Sequence, residues 1–173
     1  LWHSLHKKYN TCATIVPCEW NREAFSQNGV KSYVLPHVIE EVNIESKPIK
    51  SFPSLKDKFV CFSMSQWNNR KGFDLLVKSF YIEFFNNPDA FLVIKTYMNA
   101  MNLKKGDMVK QREYITNQIL QIKNSIKKDN QLSKAKILVV CDVIQYEHIS
   151  WLYEQSDVFV LTTRGEGFGL TIS

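Results

Sequence analysis

The sequence lacks several features that would assign it to a familiar class of protein. No apolar run approaches the roughly 18 residues needed to cross a membrane. There are only four cysteines, none at a redox or zinc-binding spacing, and there is no Asp-x-Asp pair of the kind that binds a metal ion. Internal repeats and low-complexity tracts are also missing. These absences argue against a membrane-spanning protein, a repeat array and a metal centre.

The cysteines are typical of a reducing compartment. Cys61 and Cys141 lie inside apolar, strand-like runs, where we expect them to be small buried hydrophobic residues. Reduced thiols predict a cytoplasmic location. A zinc site is the alternative, although its spacing matches no common ligand pattern. It would use His3, His6, Cys12 and Cys18.

Length and composition limit the number of domains. With 45% hydrophobic and 13% aromatic residues, the chain can bury a core, which excludes a disordered protein. Its 173 residues suit one domain, or one domain and part of another. The sequence begins with Leu1 rather than Met and stops at Ser173 without a turn signal, so we expect a fragment of a longer protein.

The net charge of +5 belongs to one segment of the chain. Residues 102–136 contain nine Lys and Arg against three Asp and Glu. A solvated helix face is the plain interpretation, and a non-catalytic module that contacts an anionic membrane through Lys104–Lys136 is an alternative. Nucleic acid is a poor candidate partner, because Tyr114 is the only aromatic residue among these cations and no recognised binding motif is present.

A regular alternation of strands and helices begins at Lys58. Four continuous apolar runs predict buried strands at residues 59–63, 90–94, 136–140 and 157–161. Apolar residues at helical spacing predict helices at residues 73–84, 108–128 and 147–155. Because the strands are apolar throughout, we expect an α/β fold, with a Rossmann-like parallel sheet that has helices on both faces.

The first part of the chain has a shorter and separate set of predicted elements. A strand at 13–16, a helix at 19–27 and a strand at 32–35 are predicted, and the helix should end at Asn28-Gly29. Residues 37–57 lack periodicity and contain two prolines, which favours a linker between domains.

Two loops follow the carboxyl ends of predicted strands, where open parallel sheets bind their ligands. The first loop is Ser63–Gly72 and the second is Thr162–Gly169. In the second loop, Gly165, Gly167 and Gly169 allow a close approach of the backbone to a ligand, and Glu166 between them suits sugar hydroxyls. In the first loop, Arg70 and Lys71 precede a helix start, where cations are unfavourable unless an anion is bound.

These loops carry a family resemblance. Glu166-Gly-Phe-Gly-Leu170 after a Val-Phe-Val-Leu strand, with Arg70-Lys-Gly72 earlier, resembles the C-terminal domain of retaining GT-B glycosyltransferases of the group 1 type. The stretch that runs from Val16-Pro-Cys-Glu-Trp-Asn-Arg-Glu23 to Val34-Leu-Pro-His37 is similar to the end of that family's N-terminal domain.

The resemblance implies a domain organisation and an activity. Residues 1–36 would be the tail of the acceptor domain, 37–57 an interdomain linker and 58–173 an incomplete nucleotide-sugar donor domain. The activity would be retaining transfer of a glycosyl group from a nucleotide sugar to an unknown acceptor, without a metal or cofactor and together with the rest of the chain. Nucleotide-sugar epimerases and phosphorylases share this architecture and remain alternatives.

The resemblance also implies roles for individual residues. Glu166 would be the catalytic carboxylate at the donor sugar, and Lys71 would contact the donor diphosphate. The family's second cation, five or six residues before the lysine, is replaced here by Gln66 and Ser65, so Arg70 would substitute. The family's second carboxylate would fall just after Ser173. The donor-binding residues expected are Arg70, Lys71, Gly165, Gly167, Phe168, Gly169, Leu170, Ser65 and Gln66, with Val143 and Ile144 near the nucleobase.

Overall fold

The computed structural model describes residues 13–38, 44–98 and 107–166, which belong to two units. Residues 13–38 belong to the first unit, and residues 44–98 and 107–166 belong to the second. The assignment of these parts to an acceptor-domain tail, a linker and a donor domain stays a prediction.

The described part of the first unit is a small strand–helix–strand motif. Strand β1 (Thr14–Val16) pairs in parallel with β2 (Ser32–Val34), and helix α1 (Glu19–Gln27) connects them. Gly29, with φ at 69°, ends the helix as the Asn28-Gly29 pair predicts, and its N–H donates to the Ser26 carbonyl.

Four parallel strands form the sheet of the second unit. They are β3 (Phe59–Gln66), β4 (Ala90–Tyr97), β7 (Lys136–Val140) and β8 (Val158–Phe159), in the order β7-β4-β3-β8. The predicted α/β class with a parallel sheet is confirmed. Strands β3 and β4 are longer than predicted because their backbone pairing continues past the apolar run, until Gln66 lies opposite Tyr97.

Helices cover both faces of this sheet. On β4, Leu92 and Ile94 pack against α2 (Phe73–Glu83) and α3 (Met108–Ser125). Phe91 and Val93 point the other way, toward α4 (Tyr146–Glu154). The alternation of side chains along a strand therefore divides one apolar run between two cores, as expected for a strand covered on both faces.

Helix α3 is shorter than its apolar spacing predicts. It ends at Ser125, and the predicted last turn instead forms the hairpin strand β5 (Lys127–Lys128), which pairs with β6 (Gln131–Leu132). Asp129 and Asn130 form the turn, with φ values of 50° and 60°. Two consecutive residues with positive φ are the signature of a tight hairpin turn, which Asp and Asn tolerate well.

Residues 44–57 are packed despite their lack of periodicity. Leu55 is buried in the same core as α4, and Ile49 and Phe52 pack against that core. The backbone of Lys47 is also tied to α4, because its N–H donates to the Glu147 carbonyl and its own carbonyl lies 2.8 Å from Nδ1 of His148.

The basic segment is spread over a helix, a hairpin and a strand. Lys110 pairs with Asp107, and Arg112 pairs with Asp142. The ammonium groups of Lys123, Lys128 and Lys136 each lie about 5 Å above an aromatic ring, at the distance of a cation–π contact. Many of these cations therefore have partners within the fold, and membrane contact stays a prediction. Within the described ranges, no helix combines the length and apolarity required of a membrane span.

We expect Phe62→Ala to lower the free energy of unfolding by about 3–5 kcal/mol. The Phe62 ring is fully buried and makes edge-to-face contacts with Tyr153 at 4.9 Å and Phe159 at 5.7 Å. The control is Leu75→Ala on α2, where the side chain is 49% exposed and the expected cost is below about 0.5 kcal/mol. Urea denaturation measures both, and equal losses would contradict this packing.

Candidate functional site

Two loops meet at the carboxyl edge of the sheet. Strands β3 and β8 are parallel neighbours, so their carboxyl ends lie at the same edge. The backbone N–H of Arg164, after β8, donates to the Arg70 carbonyl, after β3, at 2.7 Å. The Thr162 hydroxyl donates to the Gly72 carbonyl at 2.9 Å. These bonds join the two loops that the sequence singles out.

The first loop is a tight turn stabilised by its own side chains. Asn68 Oδ1 accepts the Lys71 N–H at 3.1 Å and caps a single turn of 3₁₀ helix over Asn69–Lys71. Gly72 follows with φ at 67°, in the left-handed region, and turns the chain into α2. The backbone under Arg70 and Lys71 is therefore fixed.

An ion pair connects the second loop to α2. The Arg164 guanidinium binds both carboxylate oxygens of Asp74, at 2.7 and 3.0 Å, and also donates to the Asn69 carbonyl. The hydrogen bond from Arg164 holds the pKa of the Asp74 carboxyl below its usual range. Nη2 contacts Asp74 and Nη1 contacts Asn69, so the guanidinium bridges α2 and the first loop.

Arg70, Lys71 and Glu166 come together to form what we call the carboxyl-edge cluster. Lys71 Nζ contacts Glu166 Oε1, and Arg70 Nη1 lies 3.4 Å from the same oxygen. The Lys71 side chain is only 11% exposed and that of Glu166 23%. The hydrogen bond from Lys71 is the main reason why the pKa of Glu166 lies below its ordinary value. The carboxylate is therefore ionised at neutral pH and faces two cations.

The charges and hydrogen-bonding groups of this cluster determine which ligands it suits. Its two cations and one carboxylate leave a net positive charge, which suits an anionic ligand. Lys71 carries three donors, so it can hold Glu166 and a second oxygen at once. The remaining carboxylate oxygen of Glu166 can accept from a hydroxyl. A ligand that has phosphate and hydroxyl groups side by side meets both requirements.

The other predicted donor-binding residues lie at varied positions. Ser65 and Gln66 end β3, and Ser65 Oγ is buried without a hydrogen-bond partner among the described residues. Val143 is 86% exposed and Ile144 packs against the α4 core, after β7. Strands β4 and β3 lie between β7 and β8 in the sheet, so these two residues follow a different strand from Glu166. Four further predicted residues lie outside the described ranges: Gly167, Phe168, Gly169 and Leu170.

The sequence reasoning missed the residues that hold the loops together. Thr162 and Thr163 contact the first loop through their hydroxyls, and Arg164 pairs with Asp74. The sequence contains only a weak signal for the Arg164–Asp74 pair, because an acidic residue in the first turn of a helix is common for electrostatic reasons alone.

The cysteines are described only in part. Cys61 and Cys141 are buried as predicted, and burial raises the pKa of both thiols. Cys18 is exposed, whereas its potential zinc partners His3, His6 and Cys12 lie outside the described residues. Elsewhere in the described ranges, no three His, Cys, Asp or Glu side chains gather as a metal site would require.

The chain is similar to solved structures of trehalose-6-phosphate synthase. It matches the trehalose-6-phosphate protein from E. coli bound with UDP-2-fluoro glucose, with a TM-score of 0.55 and 14% identity, over 88% of this chain and 40% of that one. It also matches trehalose-6-phosphate synthase in a study of glycosyl transfer with retention, with a TM-score of 0.56 and 14% identity, over 91% of this chain and 41% of that one. The fold is that of a GT-B glycosyltransferase.

This likeness confirms the GT-B fold that the family resemblance of the two loops implies. Neither a protein-family model nor a curated protein matches the sequence. The chain spans about two fifths of the length of the solved structures it matches. Identity of 14% shows a shared fold, so the role of each side chain depends on the local geometry.

We expect Gly72→Ala to destabilise the second unit by more than about 2 kcal/mol. A Cβ at this position would lie 2.2 Å from the Thr162 carbonyl oxygen, and φ is unfavourable for any L-residue. Gly165→Ala is the matched control, because a Cβ there meets no heavy atom within 4 Å. Thermal melts of both variants test this, and a Gly72→Ala variant as stable as Gly165→Ala would refute the close approach of the loops.

We expect Glu166→Gln to lower stability slightly at pH 7, by less than about 1 kcal/mol for an ion pair that solvent reaches. Because the folded-state pKa of Glu166 is lowered, its contribution is present above the unfolded pKa and is lost as pH falls through the folded pKa. The stability difference from the wild type should therefore shrink below about pH 4.3. Denaturation at several pH values measures it, with exposed Glu83→Gln as control. A difference that grows on acidification would contradict the ion pair.

Proposed function

We propose that the second unit supplies the nucleotide-sugar donor site of a retaining glycosyltransferase. The observation that carries this proposal is the carboxyl-edge cluster, in which two loops bring Arg70, Lys71 and Glu166 together. The fold supports the proposal, since a structure with the same fold is bound with UDP-2-fluoro glucose.

In this proposal, Lys71 and Arg70 bind the diphosphate of the donor. Negative charge accumulates on the diphosphate as its bond to the sugar breaks, and cations placed there beforehand stabilise that charge most in the transition state. The limited exposure of Lys71 strengthens the effect, because a less polar environment screens the attraction less than water does. These cations supply the positive charge that a divalent metal could otherwise provide, so we propose a reaction without a metal or cofactor.

Glu166 positions the donor sugar in the same scheme. Its carboxylate accepts hydrogen bonds from sugar hydroxyls while it keeps its contact with Lys71. The sugar is thereby held next to the phosphate whose departure Lys71 assists. A group that binds both the sugar and the lysine fixes their relative positions, which lowers the entropic cost of reaching the transition state.

The bonds between the loops prepare this site before a donor arrives. The Arg164–Asp74 ion pair and the Thr162 hydroxyl bond hold the loops in place without using a group of the cluster. Donor binding then need not order the two loops, which preserves affinity.

The acceptor site belongs, in this proposal, to the rest of the chain. Since this chain spans about two fifths of the structures it matches, we expect it to bind the donor without turning it over. The GT-B fold also serves epimerases and phosphorylases. Product analysis of the full-length enzyme distinguishes them, because only a transferase moves the glycosyl group from a nucleotide sugar to a separate acceptor.

The proposal predicts that at least one of a panel of UDP-, GDP- and ADP-sugars raises the melting temperature of the full-length protein. Lys71→Ala should weaken donor binding by about tenfold or more, because a charge-assisted hydrogen bond contributes about 1.5–3 kcal/mol. The control is Lys78→Ala, which removes the same charge from an exposed position on α2.

Two results would refute the assignment of this site. One is the absence of a thermal shift with every donor. The other is a shift in Lys71→Ala equal to that of the wild type and of Lys78→Ala.

A further inference from the structure

A groove of about 520 Å³ lies beside the first loop, between the start of α2 and one face of α3. This is within the range of roughly 300–1,000 Å³ that is typical of small-molecule sites. Its polar lining residues include Asn68, Asn69, Tyr114, Gln118 and Gln121. We propose that this groove binds an uncharged carbohydrate at a second site, outside the carboxyl-edge cluster.

The lining of the groove is ordered by its own contacts. The Trp67 ring stacks on Phe73, with centroids 4.5 Å apart and an interplanar angle of 17°. Its indole N–H donates to Gln118 Oε1 at 2.6 Å, and Gln118 Nε2 donates to the Tyr114 hydroxyl at 3.0 Å. This chain of bonds fixes the orientation of Gln118 and of the Tyr114 ring, so a ligand meets a prepared surface.

Hydrogen-bonding groups remain available in the groove. The side-chain amides of Asn69 and Gln121 make no hydrogen bond among the described residues, and both are exposed. The Tyr114 hydroxyl accepts from Gln118 and still has its own hydrogen to donate. Amides and hydroxyls both donate and accept, which matches the hydroxyl groups of a sugar.

The charges around the groove argue against an anionic ligand. Among the described residues, no Lys, Arg or His lines the groove. Asp74 is the only carboxylate among the described lining residues, and Arg164 neutralises it through two hydrogen bonds. A phosphate or carboxylate would therefore find no unpaired cation among these residues, whereas an uncharged ligand needs none.

The floor of the groove is apolar, and it completes the match to a sugar ring. Phe73, Met98 and Ile122 line it together with the Trp67 ring. A pyranose ring has C–H groups on its faces and hydroxyls around its edge, so it can cover the apolar floor while its hydroxyls reach the amides. Rings and amides combined in this way favour a carbohydrate over a purely apolar molecule.

The groove and the cluster use different groups of the same loop. Asn68 Oδ1 accepts from the Lys71 N–H, and the Asn69 carbonyl accepts from Arg164, while both residues also line the groove. Carbohydrate binding at the groove requires no nucleotide, so the inference does not depend on the proposed function.

The test is a binding titration of the full-length protein with neutral oligosaccharides, namely maltotriose, cellotriose, trehalose and chitotriose, in the absence of nucleotide. Glucose 6-phosphate is the charged comparison. We expect at least one neutral sugar to bind, and Tyr114→Ala and Gln121→Ala each to weaken its binding by about tenfold. Asn117→Ala, exposed on the same helix but outside the groove, should bind as the wild type does.

Three outcomes would overturn the proposal: no neutral sugar binds, neither groove variant weakens binding, or glucose 6-phosphate binds more tightly and Tyr114→Ala abolishes that binding. Tyr114 is 48% exposed, so its variant should fold, and melting temperatures verify this. If Tyr114→Ala fails to fold, Gln121→Ala decides. Nucleotide-sugar thermal shifts on the same variants are expected to stay unchanged, which separates failure here from failure of the donor site.

Discussion

The close approach of Gly72 to the Thr162 carbonyl is the constraint on which the candidate site depends. There is no room for a Cβ between the two loops, and φ at this glycine is positive. This contact lets the Thr162 hydroxyl and the Arg164 N–H reach the backbone of the first loop. Lys71 and Glu166 then come within contact distance although 94 residues separate them in sequence. A wider separation of the loops would leave two solvated charges with little mutual effect.

The charged groups at the two loops form two separate sets. Arg164 and Asp74 neutralise each other and hold the second loop against α2. Lys71 and Glu166 are paired too, but Arg70 lies beside them as a second cation. The groove beside this loop has amides where the cluster has ions. In the two proposals, neighbouring surfaces on one loop bind a charged donor and an uncharged sugar, because their lining groups differ in charge.

Much of the fold could be predicted because it follows from local pattern. Apolar runs without alternation identified the four strands of the parallel sheet, and apolar residues at helical spacing identified the three α-helices described in the second unit. Local pattern did not predict the structure of segments whose conformation depends on long-range contacts. The last predicted turn of α3 became a hairpin, since Asp129 and Asn130 adopt positive φ. Residues 44–57 show no periodicity, yet Leu55 is buried, because their packing depends on α4 rather than on any repeating pattern of their own.

The sequence by itself determined which residues could carry the chemistry. Arg70 and Lys71 before a helix and Glu166 among glycines are unusual where they stand, and that local peculiarity made them candidates. Only the tertiary structure decided that these three groups meet, and that Arg164 pairs with Asp74. The physical reason is the strand order. Strands β3 and β8 are far apart in sequence but adjacent in the sheet, and no local pattern of residues encodes that adjacency.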